Sequence, residues 1–406
     1  MNKQMNIIVM KFGGTSLATI EHINRASKRV EKECKKSKVI VVLSAMAGVT
    51  NSLVDQVSKI NSQSDSENDL ILSTGEQISI GLMSLILKSR GVRARTWTSW
   101  QIPIRTSSDY GMARIESISS DNIIKSFSTY DVAIVAGFQG LSQENRITTL
   151  GRGGSDTTAV AIAASFKASQ CDIYTDVEGV YTANPSIVPN AKKIDFITYE
   201  EMLEMSSLGA KVLQTRSVEL AMKHNVIIQV LSSQIDKPGT FVVNEDKKME
   251  KELVSGISFS KDEAKVTISG IPDKPGVSAS IFGPLADSNI NVDMIVQNVS
   301  QDGKNANLTF TLPQSELIKA EKVLENIKKN NIFQTYKTDN KVSKISAIGM
   351  GMRSQAGVAK KMFKTLGEKN INILAISTSE IKISVLISEE HTELAVRSLH
   401  STYGLD

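Results

Sequence analysis

The carboxyl-terminal part of the chain contains an internal repeat. Gly276-Val277, Ile281-Phe282, Leu285 and Asn289-Ile290-Asn291-Val292 return as Gly357-Val358, Met362-Phe363, Leu366 and Asn370-Ile371-Asn372-Ile373, an offset of 81 residues read from Gly276 to Gly357. A constant offset across four separate clusters requires two copies of one structural unit, because the same apolar spacing must meet the same kind of partner twice. Each copy reads as a strand, a glycine turn, an amphipathic helix and further strands, with Lys265 to Ile271 opening one and Lys344 to Gly349 the other. An open sheet of this size buries little apolar surface alone, so the copies are expected to pair, within or between chains.

Upstream of residue 245 the pattern changes. Short apolar runs at Ile7 to Met10, Val39 to Leu43, Val132 to Val135, Ile173 to Thr175 and Val226 to Leu231 alternate with longer helical patterns. That alternation predicts a mostly parallel sheet between helices. Ile78, Leu82, Leu85 and Ile86 recur at helical spacing and read as core, whereas Asn61 to Asp69, polar and serine-rich, reads as an exposed loop. Past Gly239-Thr240-Phe241-Val242-Val243, the stretch Asn244 to Glu252 is charged with almost no apolar content, so the main boundary falls there. The expected organisation is a first domain over 1–245, a linker and leading strand over 246–262, and the two copies over 263–338 and 339–406.

Lys11-Phe12-Gly13-Gly14-Thr15-Ser16 follows the first apolar run directly, and Leu17, Ile20, Ile23, Ala26 and Val30 continue at helical spacing. Strand, glycine turn and helix start, in that order, set backbone amides, a cation and the positive end of a helix around one point, which suits a phosphate. A second loop, Thr149-Leu150-Gly151-Arg152-Gly153-Gly154-Ser155-Asp156-Thr157-Thr158, leads into the run Ala159 to Ala164. Three glycines within four positions allow close backbone approach, and Arg152 supplies a planar fork for a carboxylate or phosphate. By position alone, Asp156 reads either as a helix N-cap or as part of a site. Neither loop has the spacing of a Walker A loop or of the dinucleotide fingerprint.

Together with Tyr174-Thr175-Asp176-Val177-Glu178-Gly179-Val180-Tyr181-Thr182 and Ser206 to Leu213, these loops resemble, in the same order, the motifs of the aspartate kinase (aspartokinase) family within the amino-acid kinase superfamily. Gly270-Ile271-Pro272-Asp273-Lys274-Pro275-Gly276 and Ile376-Ser377-Thr378-Ser379-Glu380-Ile381 are similar to the regulatory half of its single-function members, so the resemblance runs almost end to end. It implies an α/β fold, an amino-acid kinase domain with a mostly parallel sheet sandwiched by helices, followed by two ferredoxin-like α+β ACT domains. The activity it implies is transfer of the γ-phosphoryl group of ATP, with Mg2+, to the side-chain carboxylate of L-aspartate. The product would be 4-phospho-L-aspartate, on the route to lysine, threonine and methionine, with feedback inhibition through the ACT domains.

The resemblance also implies roles. Lys11 lies on the transferred phosphoryl group and Asp156 organises Lys11 or the metal surroundings; Gly13 and Gly14 donate amides to the ATP phosphates. Thr175, Asp176 and Tyr181 belong to the nucleotide-binding segment, and Lys211 contacts phosphate. Arg152 grips the α-carboxylate of aspartate, with Gly153, Gly154 and Ser155 in the same loop; Glu76 receives the α-ammonium, and Ser44 and Thr50 are substrate-side hydroxyls. No metal ligand is assigned to a protein side chain. For the effector, threonine, lysine or both, Asp273, Gly276, Val277 and Ser278 form a loop facing Gln297 and Ser300, and Asn370, Asn372 and Ile373 complete the site. The two Asn-Ile-Asn runs read equally as plain loop-to-strand turns. The chain departs from the family at Asn184-Pro185-Ser186, where many members carry an acidic residue, proline and arginine, which puts one charge near the nucleotide phosphates in question. Met249 stands near the point where some members start a separate regulatory chain. The expected assembly is a homo-oligomer through ACT pairing, or α2β2 with a shorter chain starting at Met249.

An aspartate side chain, with a pKa near 3.9, is already ionised at neutral pH, so its phosphorylation requires no general base. This agrees with a first domain whose histidines, His22 and His224, lie outside both glycine loops; with His391 and His400 they read as structural or surface residues. What the reaction does require is that two anions be held together by cations, amides and a metal. The net charge of +4, from 47 basic and 43 acidic residues, is spread along the chain without the basic patch that tracks nucleic acid. Cys34 and Cys171 are too few for a disulfide framework and no Cys or His cluster has zinc spacing, which fits a reducing compartment. No uninterrupted apolar run approaches ~20 residues and no signal-like segment precedes the first strand, so a cytoplasmic protein without a membrane partner is expected. Two other readings stay in view: a kinase of this fold acting on glutamate, acetylglutamate or a nucleotide monophosphate, and a catalytically silent ACT-type amino-acid sensor. Relatives of the first kind lack the tandem copies and the Phe12 to Ser16 motif, and intact Lys11 and Asp156 argue against the second.

Overall fold

The structure, a computed structural model, describes residues 5–60, 65–207, 212–245, 253–299, 303, 305–353 and 357–406. Lys211, Met249 and Ser300 lie outside the described residues. The chain divides into two compact units. Among the described residues, the first takes in those up to Val180, Lys193–Ser206 and 212–245; the second takes in Tyr181–Lys192, Ser207 and those from 253 onward.

The first unit is built on an eight-stranded sheet in the order Phe196–Thr198, Thr240–Val243, Ile228–Ser232, Gln170–Thr175, Ile7–Phe12, Lys38–Leu43, Val132–Ala136, Ala94–Trp97. All neighbours are parallel except Ile228–Ser232 against Thr240–Val243. Helices cover such a sheet, which is why its central strands are continuous apolar runs: Val39 to Leu43 and Val132 to Ala136 are buried throughout. The helix Gly154–Ser165 is buried from Gly154 to Ala163, as a run with small or apolar residues on every side must be. A smaller sheet, Ile115–Ile118, Ile104–Thr106, Gln139–Leu141, Ile147–Thr149, completes the unit.

Two readings of this unit change. The helix Thr74–Ser89 turns Ile80, Met83 and Leu87 into the core, leaves Leu82 and Ile86 half-buried, and exposes Ile78 (55%) and Leu85 (67%). The stripe Ile78, Leu82, Leu85 and Ile86 is therefore not the core face; with apolar residues on both faces, periodicity alone could not choose. Leu87→Ala should destabilise the protein by roughly 2–5 kcal/mol and Leu85→Ala by less than about 0.5 kcal/mol in urea unfolding, a contrast that the opposite packing would reverse. Asp69 is not in an exposed loop but in the helix Asp65–Leu72, and it is 1% exposed.

The helical stretch Asp65–Ser89, 25 residues with a window of mean hydropathy 1.6, is long and apolar enough to cross a bilayer by length and composition. Folding, however, puts it against the sheet with two buried carboxylates, Asp69 and Glu76, so here it is a core element. The expectation that no segment reaches such a size does not hold for this helix.

The second unit holds two four-stranded antiparallel sheets, each with two helices. One has the order Asp293–Val299, Asn305–Leu312, Ala264–Pro272, Thr335–Asp339, with helices Val277–Asp287 and Leu317–Lys329. The other has the order Gly256–Ser260, Val342–Ile348, Lys382–Ser388, Ala375–Thr378, with helices Val358–Glu368 and Thr392–Thr402. The repeat thus folds twice into the same α+β unit, and Gly276 (φ 89°) and Gly357 (φ 112°) occupy the same left-handed position before a helix.

Gly256–Ser260 does not lead into the first copy; it supplies the fourth strand of the second, so the first copy is inserted within the second. A single cut near residue 245 is likewise not how the contacts divide, because Tyr181–Lys192 belongs to the second unit. Ala183, Ile187 and Val188 enter its core, Ile257 N–H donates to Thr182 O (2.7 Å), and Arg397 Nε donates to Ile187 O (2.8 Å). His400, fully buried, bridges Thr182 Oγ1 (2.8 Å) and Asp406 Oδ1 (3.0 Å), a structural role as expected.

Candidate active site

Four adjacent parallel strands end side by side: Tyr174 pairs with Phe12, Phe12 with Leu43, and Leu43 with Ala136. From Ile7–Phe12 the chain builds outward in both directions, so this strand marks a reversal of strand order, and ligands of open α/β sheets bind outside the carboxyl ends at such a reversal. The residues that leave these ends are Gly13, Ser44 and Gly137, with Thr175 closing its own strand. They stay in register through Gly13 N–H to Tyr174 O (3.4 Å), Ser44 N–H to Phe12 O (3.2 Å) and Gly137 N–H to Leu43 O (3.0 Å).

Lys11, on the central strand, is 9% exposed, and its Nζ lies 2.5 Å from Asp156 Oδ1, itself on a residue 7% exposed. The early lysine turn and the mid-chain arginine turn therefore meet. Asp156 is not the helix cap: that position belongs to Gly153, in the left-handed region at φ 70°, and Asp156 sits in the first turn with its carboxylate on Lys11. A side chain at Gly153 would place Cβ 1.8 Å from Gln214 Cγ, so both conformation and space demand glycine there. Gly13 passes so close to Lys11 that a Cβ would stand 3.3 Å from Nζ, and a Cβ on Gly137 would meet Ser155 Oγ at 2.8 Å.

Glu76 opens the helix Thr74–Ser89 and is 3% exposed. Its Oε1 accepts from Ala45 N–H (3.0 Å), whereas Oε2 is buried with no hydrogen-bond partner among the described residues. Burial pushes its carboxyl up from the ordinary 4.5 to about 7, with the Ala45 amide pulling the other way. The neighbourhood is tight: a Cβ on Gly75 would come 2.7 Å from Ala45 Cβ and 3.3 Å from Val49 Cγ1, and one on Gly14 3.2 Å from Ala45 O. Ser44 and Thr50, half-buried, flank Ala45 and Val49. An orphaned buried carboxylate oxygen beside a glycine turn and a buried lysine is a receptor for a cation next to a receptor for an anion.

Arg152 is exposed and makes no ion pair among the described residues. The residues before it are held firmly. Asp69 accepts from Thr149 N–H (2.6 Å), Thr149 Oγ1 (2.7 Å) and Gly111 N–H (2.9 Å), and Arg216 donates to Leu150 O (2.9 Å) and Ala113 O (2.6 Å). Sequence reading missed Asp69 and Arg216, whose partners are far away along the chain. It also passed over Ser16, whose buried Oγ has no partner among the described residues and which stood inside a motif already singled out.

Thr175 is half-buried, donates to Asp176 Oδ1 (3.1 Å) and accepts Ser233 N–H on its carbonyl (2.8 Å). Tyr181 falls in the second unit and Lys211 outside the described residues, so these do not join the cluster above. At Asn184-Pro185-Ser186, Asn184 Oδ1 accepts from Ser186 N–H (3.0 Å) and Ser186 Oγ (2.9 Å), closing a turn with Ser186 exposed.

In the second unit Ser278 Oγ donates to Gln297 Oε1 (3.3 Å), joining the glycine loop to the facing strand; Asp273 and Gly276 are exposed beside them and Val277 is half-buried. Asn370, Asn372 and Ile373 occupy the equivalent turn of the other copy, Asn370 at φ 56°, and no hydrogen bond links them to the first loop among the described residues. Among the described residues no three His, Cys, Asp or Glu side chains stand together as a metal cage.

The sequence profile of the Amino acid kinase family matches residues 6–232, and that of the ACT domain matches 266–327 and 345–403. The aspartate kinase of Pseudomonas putida is 50% identical over 405 residues, covering 99% of this chain and 98% of its own length. Aspartokinase III of E. coli in its R-state complex with aspartate and ADP superimposes with a TM-score of 0.81 at 27% identity, covering 98% of this chain and 99% of that one. Its T-state complex with lysine and aspartate gives 0.78 at 27% identity, with the same coverage. With the strand-end cluster and the tandem ACT copies, these likenesses establish that the chain belongs to the aspartate kinase family.

Proposed function

We propose that this chain carries out ATP-dependent phosphorylation of L-aspartate at the carboxyl edge of its parallel sheet, and that the residues gathered there divide the work as follows. Aspartate arrives with its side-chain carboxylate ionised, so the task is electrostatic. Lys11 neutralises the γ-phosphoryl group as charge shifts during transfer, and Asp156 holds Lys11 in place. Gly13 and Gly14 offer amides to the ATP phosphates, with Thr175, Asp176, Tyr181 and Lys211 completing the nucleotide site. Glu76 takes the α-ammonium group and Arg152 the α-carboxylate, while Ser44, Thr50 and the Gly153-Gly154-Ser155 backbone line the aspartate. Mg2+ suits this donor set as an ion carried on the nucleotide phosphates, with Asp156 as the nearest carboxylate, and supplies further charge neutralisation.

One observation carries this reading: a buried lysine paired with a carboxylate at the end of the central strand, beside a buried carboxylate oxygen without a partner. A coupled ADP-release assay with hydroxylamine trapping tests it. Acyl phosphate should form with aspartate and not with glutamate, acetylglutamate or no acceptor; nucleotide binding without turnover would instead mark a sensor.

For regulation, lysine and threonine, alone or together, are the effectors proposed for the Ser278–Gln297 site, supported by the lysine bound to the E. coli relative. Unchanged activity on titrating both would exclude them. The domains proposed are the kinase portion to about residue 245 and the two ACT copies beyond the linker, with the strand exchange described above. Assembly through ACT pairing, or with a chain starting at Met249, and a cytoplasmic setting, in keeping with two free cysteines, complete the proposal.

A further inference from the structure

We infer that Asp69 is a positioning residue that sets the span between the two grips on the amino-acid end of the substrate, an inference that rests on the reading of Glu76 and Arg152 as those grips. Asp69 and Glu76 lie seven residues apart on one helical rod, Asp65–Ser89, with Ser73 N–H to Asp69 O (3.0 Å) carrying the helical bonding across the joint. Seven residues are close to two turns, so both carboxylates project from nearly the same face, on the order of 10 Å apart. Gln139 Nε2 donates to Ser73 O (3.2 Å), which braces the joint from the side.

At one end of this ruler Glu76 is tied to the Ala45 amide. At the other, Asp69 takes both the N–H and the hydroxyl of Thr149, three residues before Arg152, and the N–H of Gly111 from the loop that packs on Gly151. The Thr149 carbonyl is itself held by Ala113 N–H (2.9 Å). The backbone leading into the glycine turn is thus fixed on both sides while Arg152 stays unpaired, an arrangement that delivers a free guanidinium from a fixed post. A carboxylate is required for the task. Its two oxygens accept three donors, whereas an asparagine in the same place would turn an NH2 toward an N–H. Among the described residues no ion pair offsets the buried charge, so the three hydrogen bonds alone compensate its desolvation.

The test compares Asp69→Asn, Arg152→Ala and the double variant by steady-state kinetics, with Thr149→Val as the second probe should Asp69→Asn fail to fold. Asp69→Asn or Thr149→Val should raise KM for aspartate by about 30-fold and leave KM for ATP within about twofold. Arg152→Ala should raise KM for aspartate strongly, and adding Asp69→Asn to it should cost less than about threefold more, because Asp69 acts through the arginine turn. Equal losses for both substrates, an unchanged KM for aspartate, or effects that multiply in full would overturn the positioning role while leaving the site reading intact. If Arg152→Ala itself leaves KM for aspartate unchanged, the site reading fails and the inference falls with it.

Discussion

Lys11→Met is expected to reduce kcat by roughly three orders of magnitude, measured as ADP release at saturating aspartate and ATP. Lys11 is placed to neutralise charge that develops during transfer, in a strand-end site with little water, where one positioned donor is worth far more than in bulk solvent. The same substitution removes the partner of Asp156 and leaves a buried carboxylate uncompensated, so the folded state should lose about 3–5 kcal/mol. Stability and catalysis separate in the double variant Lys11→Met/Asp156→Asn. With both charges removed, much of the lost stability should return in thermal unfolding, while turnover should stay near the level of Lys11→Met. Recovery of activity along with stability would mean that Lys11 holds the fold together and has no part in the reaction.

Glu76→Gln should raise KM for aspartate on the order of 100-fold with a smaller change in kcat, since it withdraws the charge that meets the α-ammonium group. The pH dependence gives a sharper test. Glu76 titrates near 7 in the folded protein and near 4.5 when unfolded, because burial disfavours its charged form. A carboxyl raised in this way contributes stability that is fully present below pH 4.5 and is lost as pH rises through 7. The ligand-free protein should therefore be less stable at pH 8 than its Glu76→Gln variant, by as much as about 3 kcal/mol.

Binding reverses the sign. A bound ammonium group compensates the ionised carboxylate, so aspartate should raise the unfolding temperature more at pH 8 than at pH 6. KM for aspartate should climb about tenfold per pH unit below 7, a slope absent from Glu76→Gln. A wild-type profile as flat as that of the variant would remove Glu76 from the ammonium site.

The glycine turns, the strand-to-helix order and the two ACT copies were legible because each is encoded over a few consecutive residues. A glycine must sit where φ is positive, as at Gly153, and an apolar period of two or near four declares its own element. Lys11, Arg152 and Asp156 could be singled out for the same reason, since they stand inside such turns. Family likeness was needed for Glu76, which alone reads as a helix-end charge.

Other features depend on distance. The choice between Leu85 and Leu87 as the buried residue was open, because both faces of Thr74–Ser89 are apolar and only the sheet beneath selects one. Asp69 looked like part of a polar loop because its partner, Thr149, is 80 residues away, and a buried carboxylate is recognisable only once its donors are in place. The return of Gly256–Ser260 to the second copy is a matter of strand pairing, which local pattern does not specify. For this chain, local backbone chemistry determined which elements form and which turns can receive anions. Tertiary packing decided which faces are buried, which carboxylate braces the arginine turn, and that Glu76 keeps one oxygen free, because hydrogen-bond satisfaction and desolvation are properties of surroundings assembled from remote parts of the chain.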